Sequence, residues 1–234
     1  MDNKLIFNLG LYNGEDCKPF LKNGYTVVGV DCNPDMVSLV QKDFSGYIES
    51  NKLVIVDKCV TDNNDDEVSF YICKYHQDWS SCNKNITIRT SDEIEEIKSK
   101  TVTLDYLIKE YGCPYYCKID IEGNDILALK SLYNCKELPK YISCETECLG
   151  KGENPEDINF LEVLDVLHDL GYTKFYIMKQ YTNKDTAITI NNGKLTSNVR
   201  YIPYSEMKKN FKQIRDDHYN KTNTSFWYDL YATY

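Results

Sequence analysis

The chain has 234 residues, 42% of them hydrophobic and 27% charged, which fits one soluble α/β domain with a substantial core and is short for two catalytic domains. Its 36 acidic against 27 basic residues leave a net charge of −9, which opposes nonspecific contact with a phosphate backbone, so nucleic acid is not the expected substrate. No apolar run approaches the ~20 residues of a membrane span, no secretory leader opens the chain, and ten cysteines form no CxxC pair, so reduced thiols in a cytoplasmic protein are expected.

Taken in order, the first half alternates short β-branched runs with helix-like segments, the pattern that builds a parallel sheet through right-handed crossovers. A buried strand is predicted over 5–9, a helix over 14–23 and a second strand over 25–31. Asn33 then caps a helix with Pro34 at its first position, running to about Phe44. A third strand is predicted over 53–56, a polar turn over 61–66 and an alternating strand over 68–73. The polar stretch 74–100 reads as one long connection, the kind that serves as a lid or binding loop. Further on, helices are expected over 103–111, 125–132, 155–170 and 204–214, and strands over 115–121, 141–145, 174–179 and 186–190. The chain then closes on the aromatic run Phe226-Trp227-Tyr228. The organisation expected is a domain over residues 1–200 with a C-terminal extension, 201–234, packed on it.

Two constellations carry chemistry. The first is Phe7-Asn8-Leu9-Gly10 with Gly14, a strand running into a G-x-x-x-G turn and a helix, followed by Asp31 at the end of the second strand. Glycines there let backbone approach a nucleoside, and an acid at that strand end takes ribose hydroxyls. The alternative is a tight strand-helix turn and nothing more. A dinucleotide fold wants a further glycine where this chain has Tyr12, which argues for an adenosine cofactor without a pyrophosphate, S-adenosylmethionine. The second is Lys118-Ile119-Asp120-Ile121-Glu122-Gly123. Period-two spacing puts Lys118, Asp120 and Glu122 on one side of a strand at its carboxyl end, where open α/β sheets bind ligands, or else forms a salt-bridged structural trio.

These segments, together with Val102-Thr103-Leu104-Asp105-Tyr106-Leu107, Leu170-Gly171-Tyr172 and Trp227-Tyr228-Asp229, resemble the FkbM-type methyltransferases across nearly the whole chain. The Lys-Ile-Asp-Ile-Glu-Gly segment is the most specific match. The resemblance implies a Rossmann-like, doubly wound, seven-stranded and mostly parallel α/β sheet of the class I methyltransferase type. It also implies S-adenosylmethionine as donor and O-methylation of a sugar, glycan or other hydroxylated small molecule. The family usually carries aspartate at the position of Asn8 and glutamate at that of Asp31, and it commonly has serines near the cofactor where this chain has Ser80 and Ser81.

The residues expected to hold the cofactor are Asn8, Gly10, Gly14, Asp31, Asn33, Ser81 and Asp120. An alcohol needs a base as its C–O bond forms, and Asp120 and Glu122 are the first candidates, with Lys118 tuning their charge and His76 as the alternative. No resident metal is expected, although Asp120, Glu122, Glu145 and Glu147 form an oxygen set that would suit a hard divalent ion. Tyr75, Trp79 and Trp227 are candidates to stack on a sugar ring, and His168 reads as structural. A second expectation from another class is a catalytically silent domain that binds the cofactor and recognises a glycan or a protein partner.

Overall fold

The computed structural model describes residues 4–87, 93–146, 160–180, 187–191, 193–220 and 227–234. They fall into two compact units, Met1–Pro139 and Lys140–Tyr234.

The first unit is the expected α/β, Rossmann-like winding. Strand β1 (Leu5–Leu9) leads through α1 (Lys18–Lys22) to β2 (Thr26–Asp31), and α2 (Pro34–Asp43) with α3 (Ser45–Glu49) leads on to β3 (Leu53–Asp57). After an excursion, α5 (Leu104–Tyr111) precedes β7 (Tyr116–Ile119) and α6 (Asp125–Ser131). The four strands are parallel in the order β7-β1-β2-β3, in register Asn8 with Gly29 on one side and with Lys118 on the other. Phe7, Leu9, Val27, Val28, Val30 and Ile119 are all within 1% of complete burial. Such unbroken burial, in place of alternation, is the mark of a parallel sheet covered on both faces, and each of these side chains contributes about 1.5–3 kcal/mol.

Local chemistry fixes the helix ends as the sequence implies. Asn33 Oδ1 accepts the Asp35 amide at 3.1 Å with Pro34 at the first helical position, and Thr103 Oγ1 accepts the Tyr106 amide at 3.3 Å.

The excursion departs from the expected long connection. It holds β4 (Cys59–Val60), β5 (Glu67–Cys73), α4 (Lys84–Thr87) and β6 (Ile94–Val102), and β6 pairs antiparallel with β5 and parallel with β4. The reason β6 reads as loop is visible on its exposed face. There Ser69 donates to Glu96 at 2.6 Å and accepts from Lys98 at 2.9 Å, so polar cross-strand pairs carry a strand that has little apolar pattern.

In the second unit, β8 (Tyr141–Glu145), α7 (Glu162–Asp169), β9 (Lys174–Lys179), β10 (Ile188–Asn191), β11 (Lys194–Ser197), β12 (Ile202–Pro203), α8 (Tyr204–Tyr219) and β13 (Tyr228–Thr233) follow in order. Strand β13 lies antiparallel between β8 and β9, β12 pairs with β9, and β10 with β11 forms a hairpin. The aromatic ending is therefore a strand, with Leu230, Tyr231 and Ala232 buried. The start of the helix expected over 155–170 lies outside the described residues; α7 ends just before Gly171, whose φ is +101°. Among the described residues no helix is long and apolar enough to cross a membrane.

Candidate active site

In the first unit the chain moves outward from β1 to β2 and β3, then returns to β7 on the other side of β1. The strand order reverses between β1 and β7, and in open α/β sheets ligands bind outside the carboxyl ends of the strands at that reversal. Gly10 and Asp120, which directly follow β1 and β7, meet there. The Asp120 amide donates to Leu9 O at 3.0 Å, and a Cβ on Gly10 would stand 1.8 Å from the Asp120 carbonyl oxygen. Gly10 is thus required by backbone-to-backbone contact as well as by its φ of +84°. Gly14, at φ +76°, is pressed on the Phe44 ring, 2.9 Å from where its Cβ would be.

Asp31 is the last residue of β2. Its Oδ2 accepts the Tyr12 amide at 2.7 Å and its Oδ1 the Asn33 amide at 2.9 Å, with the Cys32 amide a further donor. Burial pushes the Asp31 carboxyl above the usual carboxylate range, while these three amides draw it back. Tyr12 takes a left-handed backbone, φ +48°, to aim its amide at Asp31. Asn33 also reaches Gln77 at 3.4 Å, and the Asp78 charge raises the Tyr12 phenol after burial does, so the 77–79 turn lies beside this end of the site. His76 opens that turn, exposed and stacked on Trp79 with ring centroids 4.3 Å apart.

At the end of β7 the acid cluster is assembled, by a route that alternation alone does not describe. The strand stops at Ile119, and Glu122 adopts a left-handed backbone, φ +51°, followed by Gly123 at +109°. Asp125 ties this turn down by accepting the Gly123 amide at 3.0 Å and the Ile121 amide at 3.4 Å. The carboxylates of Asp120 and Glu122 still come within 4.8 Å of each other. Lys118 reaches Asp120 Oδ2 at 3.2 Å and pairs closely with Asp16. Burial works against its charge, but the two carboxylates outweigh it and hold the ammonium above the usual lysine value. Lys118 is therefore part of a salt-bridged anchor with one of the candidate bases.

Ser81 is fully buried and uses its hydroxyl within the protein, donating to the Glu122 carbonyl at 2.5 Å and accepting the Asn83 amide at 2.8 Å. It positions the Glu122 turn from the middle of the excursion, just after the 77–79 turn. Asn8, 3% exposed, donates through Nδ2 to the Cys17 sulfur at 3.2 Å, and its Oδ1 is buried without a hydrogen-bond partner among the described residues. Of the other acids, Glu145 ends β8 in the second unit and Glu147 lies outside the described residues. Tyr75 is 72% exposed, and His168 stacks on Tyr204 with centroids 4.0 Å apart. Asp16 and Gln77 escape a reading of the sequence because each acts through a contact far along the chain, and Asp125 because its role depends on the left-handed turn at Glu122.

A family model described as the methyltransferase FkbM domain matches residues 8–174, which includes every candidate residue from Asn8 to Glu122. The chain belongs to the FkbM methyltransferase family. No curated protein matches the chain. Among solved structures it is similar to the FkbM methyltransferase of Methylobacillus flagellatus KT, at 12% identity and a TM-score of 0.48, covering 99% of this chain and 44% of that one. The chain thus spans less than half the length of that protein. It is also similar to a SAM-dependent methyltransferase from Archaeoglobus fulgidus (12% identity, TM-score 0.45, 100% and 87% covered). The C-terminal domain of precorrin-6Y C5,15-methyltransferase from Rhodobacter capsulatus matches at 10% identity and TM-score 0.45, with 100% and 81% covered.

Proposed function

We propose that this FkbM-family chain is an S-adenosylmethionine-dependent O-methyltransferase acting on a hydroxyl of a sugar, glycan or similar small molecule. The observation that carries the donor assignment is Asp31, a carboxylate fixed by backbone amides at the end of β2, one strand away from the Gly10 turn. Its amide contacts leave lone pairs for vicinal hydroxyls, which is the demand a ribose makes. The orphaned Asn8 Oδ1 fits the same group, since a buried acceptor without a partner costs about 1–3 kcal/mol until a ligand donor satisfies it. When bound, S-adenosylmethionine supplies an electrophilic methyl on a sulfonium. Asp31, Asn8 and the Gly10 turn would hold it.

The rest of the work is the chain's own. Methyl transfer depends on orienting the acceptor oxygen and excluding water. Asp120, with Oδ2 turned to Lys118, offers its other carboxylate oxygen to an acceptor proton, and Glu122 stands beside it on a turn held by Ser81 and Asp125. Trp79, stacked on His76 in the 77–79 turn, is the candidate ring to pack on a sugar acceptor.

Calorimetric titration with S-adenosylmethionine, and with NAD as control, tests the donor. Selective binding of the former is expected; binding of NAD alone overturns the reading. Asp31→Ala should raise the donor Kd about 100-fold, or about 2.7 kcal/mol, because it removes the hydroxyl acceptor and strands the Tyr12 and Asn33 amides.

Acidity has a defined sign at this residue. Between the unfolded value of about 3.9 and the raised folded value, the folded chain binds the extra proton, so the contribution of Asp31 to stability falls as pH rises. Donor binding wants the charged form. Affinity in the wild type should therefore fall on acidification already above about pH 4, and titrations across a pH series should find that dependence missing in Asp31→Ala.

Asn8→Ala separates binding from folding. It should weaken the donor about 10-fold while changing the unfolding free energy of the free chain by less than about 1 kcal/mol, because an unsatisfied acceptor is deleted along with a weak bond to sulfur. Urea denaturation beside calorimetry reads both.

A further inference from the structure

Behind the acid that ends β2, three thiols from separate parts of the first unit come together. Cys32 follows Asp31, Cys59 opens β4 and Cys82 follows Ser81. Cys32 and Cys59 are buried in one cluster with Phe70 and Ile72, and the half-buried Cys82 packs against it with Val68 and Ile97. The three sulfurs interact with one another. No disulfide joins them. Neither the methyl donor nor the candidate base uses any of the three.

The members are not equivalent. Cys82 is the partly exposed member, so it is the thiol a dissolved oxidant reaches first, and its contacts with Cys32 and Cys59 lower its thiol from the usual value. Burial raises Cys32. Cys59 is fixed within β4, where it registers with Thr101 of β6, whereas Cys32 lies between the end of β2 and the start of α2, outside both elements. A low-pKa, accessible thiol with a second thiol in reach is the arrangement of a redox-active pair.

We propose that Cys82 and Cys32 are a reversible dithiol–disulfide pair, with Cys82 as the attacking thiol and a small-molecule disulfide such as glutathione disulfide as the oxidant. The Cys82 thiolate attacks one sulfur of the oxidant and expels one glutathione thiolate. Cys32 then loses its proton to that thiolate and attacks the Cys82 sulfur, expelling the second glutathione thiolate and closing the Cys32–Cys82 bond. The two cysteines lose two electrons, and one glutathione disulfide becomes two glutathiones. The bond would tie the segment beside Asp31, whose carboxylate accepts the Cys32 amide, to the segment whose Ser81 holds the Glu122 turn. Its formation is independent of what the site binds; its effect on the donor rests on the donor assignment above.

The full chain, treated with glutathione disulfide near neutral pH, alkylated and digested without reduction, decides the matter by mass mapping. A Cys32–Cys82 linked peptide should accumulate before Cys113 or Cys135 reacts, since burial pushes both of those thiols up to about 11, and dithiothreitol should abolish it. Cys32→Ser should stop at a glutathione adduct on Cys82. Modification of Cys113 or Cys135 with Cys82 intact, a lasting adduct on Cys82 in the wild type, or a bond from Cys82 to Cys59 would each overturn the pair. The wild-type map requires no variant to fold. Donor titration of reduced and oxidised chain should differ about 10-fold, or about 1.4 kcal/mol, and equal affinity overturns the effect on the site. Absence of donor binding in the reduced chain counts against the donor assignment and leaves the mapping result standing.

Discussion

Asp120→Asn should keep methyl-donor affinity within a few-fold and lower turnover by about 10²–10⁴-fold, the range a positioned general base contributes. The position supports so large an effect. Asp120 stands just beyond β7 at the strand-order reversal, its backbone locked to β1 on one side and one carboxylate oxygen anchored on Lys118. An asparagine preserves the shape, and its amide oxygen can still face Lys118, but it no longer takes a proton at neutral pH. Glu122→Gln should fall less, because its neighbour remains. Single-turnover kinetics beside donor titration separate chemistry from binding. Full turnover in both variants would remove the acid pair from the base role and leave His76 to be tested.

The largest structural effect is expected from Gly10→Ala. The new methyl would overlap the Asp120 carbonyl oxygen, and neither partner has freedom to yield: Gly10 N donates to Val30 O at 3.0 Å and Asp120 N to Leu9 O at 3.0 Å. Loss of about 4 kcal/mol is expected, among the larger costs of a single substitution and about 10 °C in Tm for a chain of this size. Gly24→Ala is the control. Its φ is +77°, similar to Gly10, but nothing lies within 4 Å of the added carbon, so only the left-handed strain of about 1–2 kcal/mol should appear. Equal Tm shifts in the two variants would show that φ strain, and not the contact with Asp120, decides the cost.

The parallel half of the fold was legible because β1 and β2 are buried almost throughout and α2 and α5 carry side-chain caps. Apolar runs 5–9 and 25–31 and the pair Asn33-Pro34 have no competing reading. Gly10, Asp31 and Asn33 stand out in the sequence for the same reason, because their turn, strand-end and cap contacts are local. What escaped depends on partners far along the chain. Strand β6 is polar because its exposed face is carried by Ser69, Glu96 and Lys98, and β13 looks like an aromatic tail until β8 and β9 are placed around it. In the site, alternation correctly pairs Lys118 with Asp120, yet it does not foresee that Glu122 reaches its neighbour through a left-handed turn tied by Asp125.

The excursion between β3 and α5 carries its own seven-pair ladder, β5 with β6, and the 77–79 turn follows directly from β5. The ladder stiffens that stretch from within, while Gln77 and Ser81 tie its far end to Asn33 and to the Glu122 carbonyl. A hairpin grafted in its place would therefore have to bring both tethers with it, or the turn that carries Glu122 loses its support.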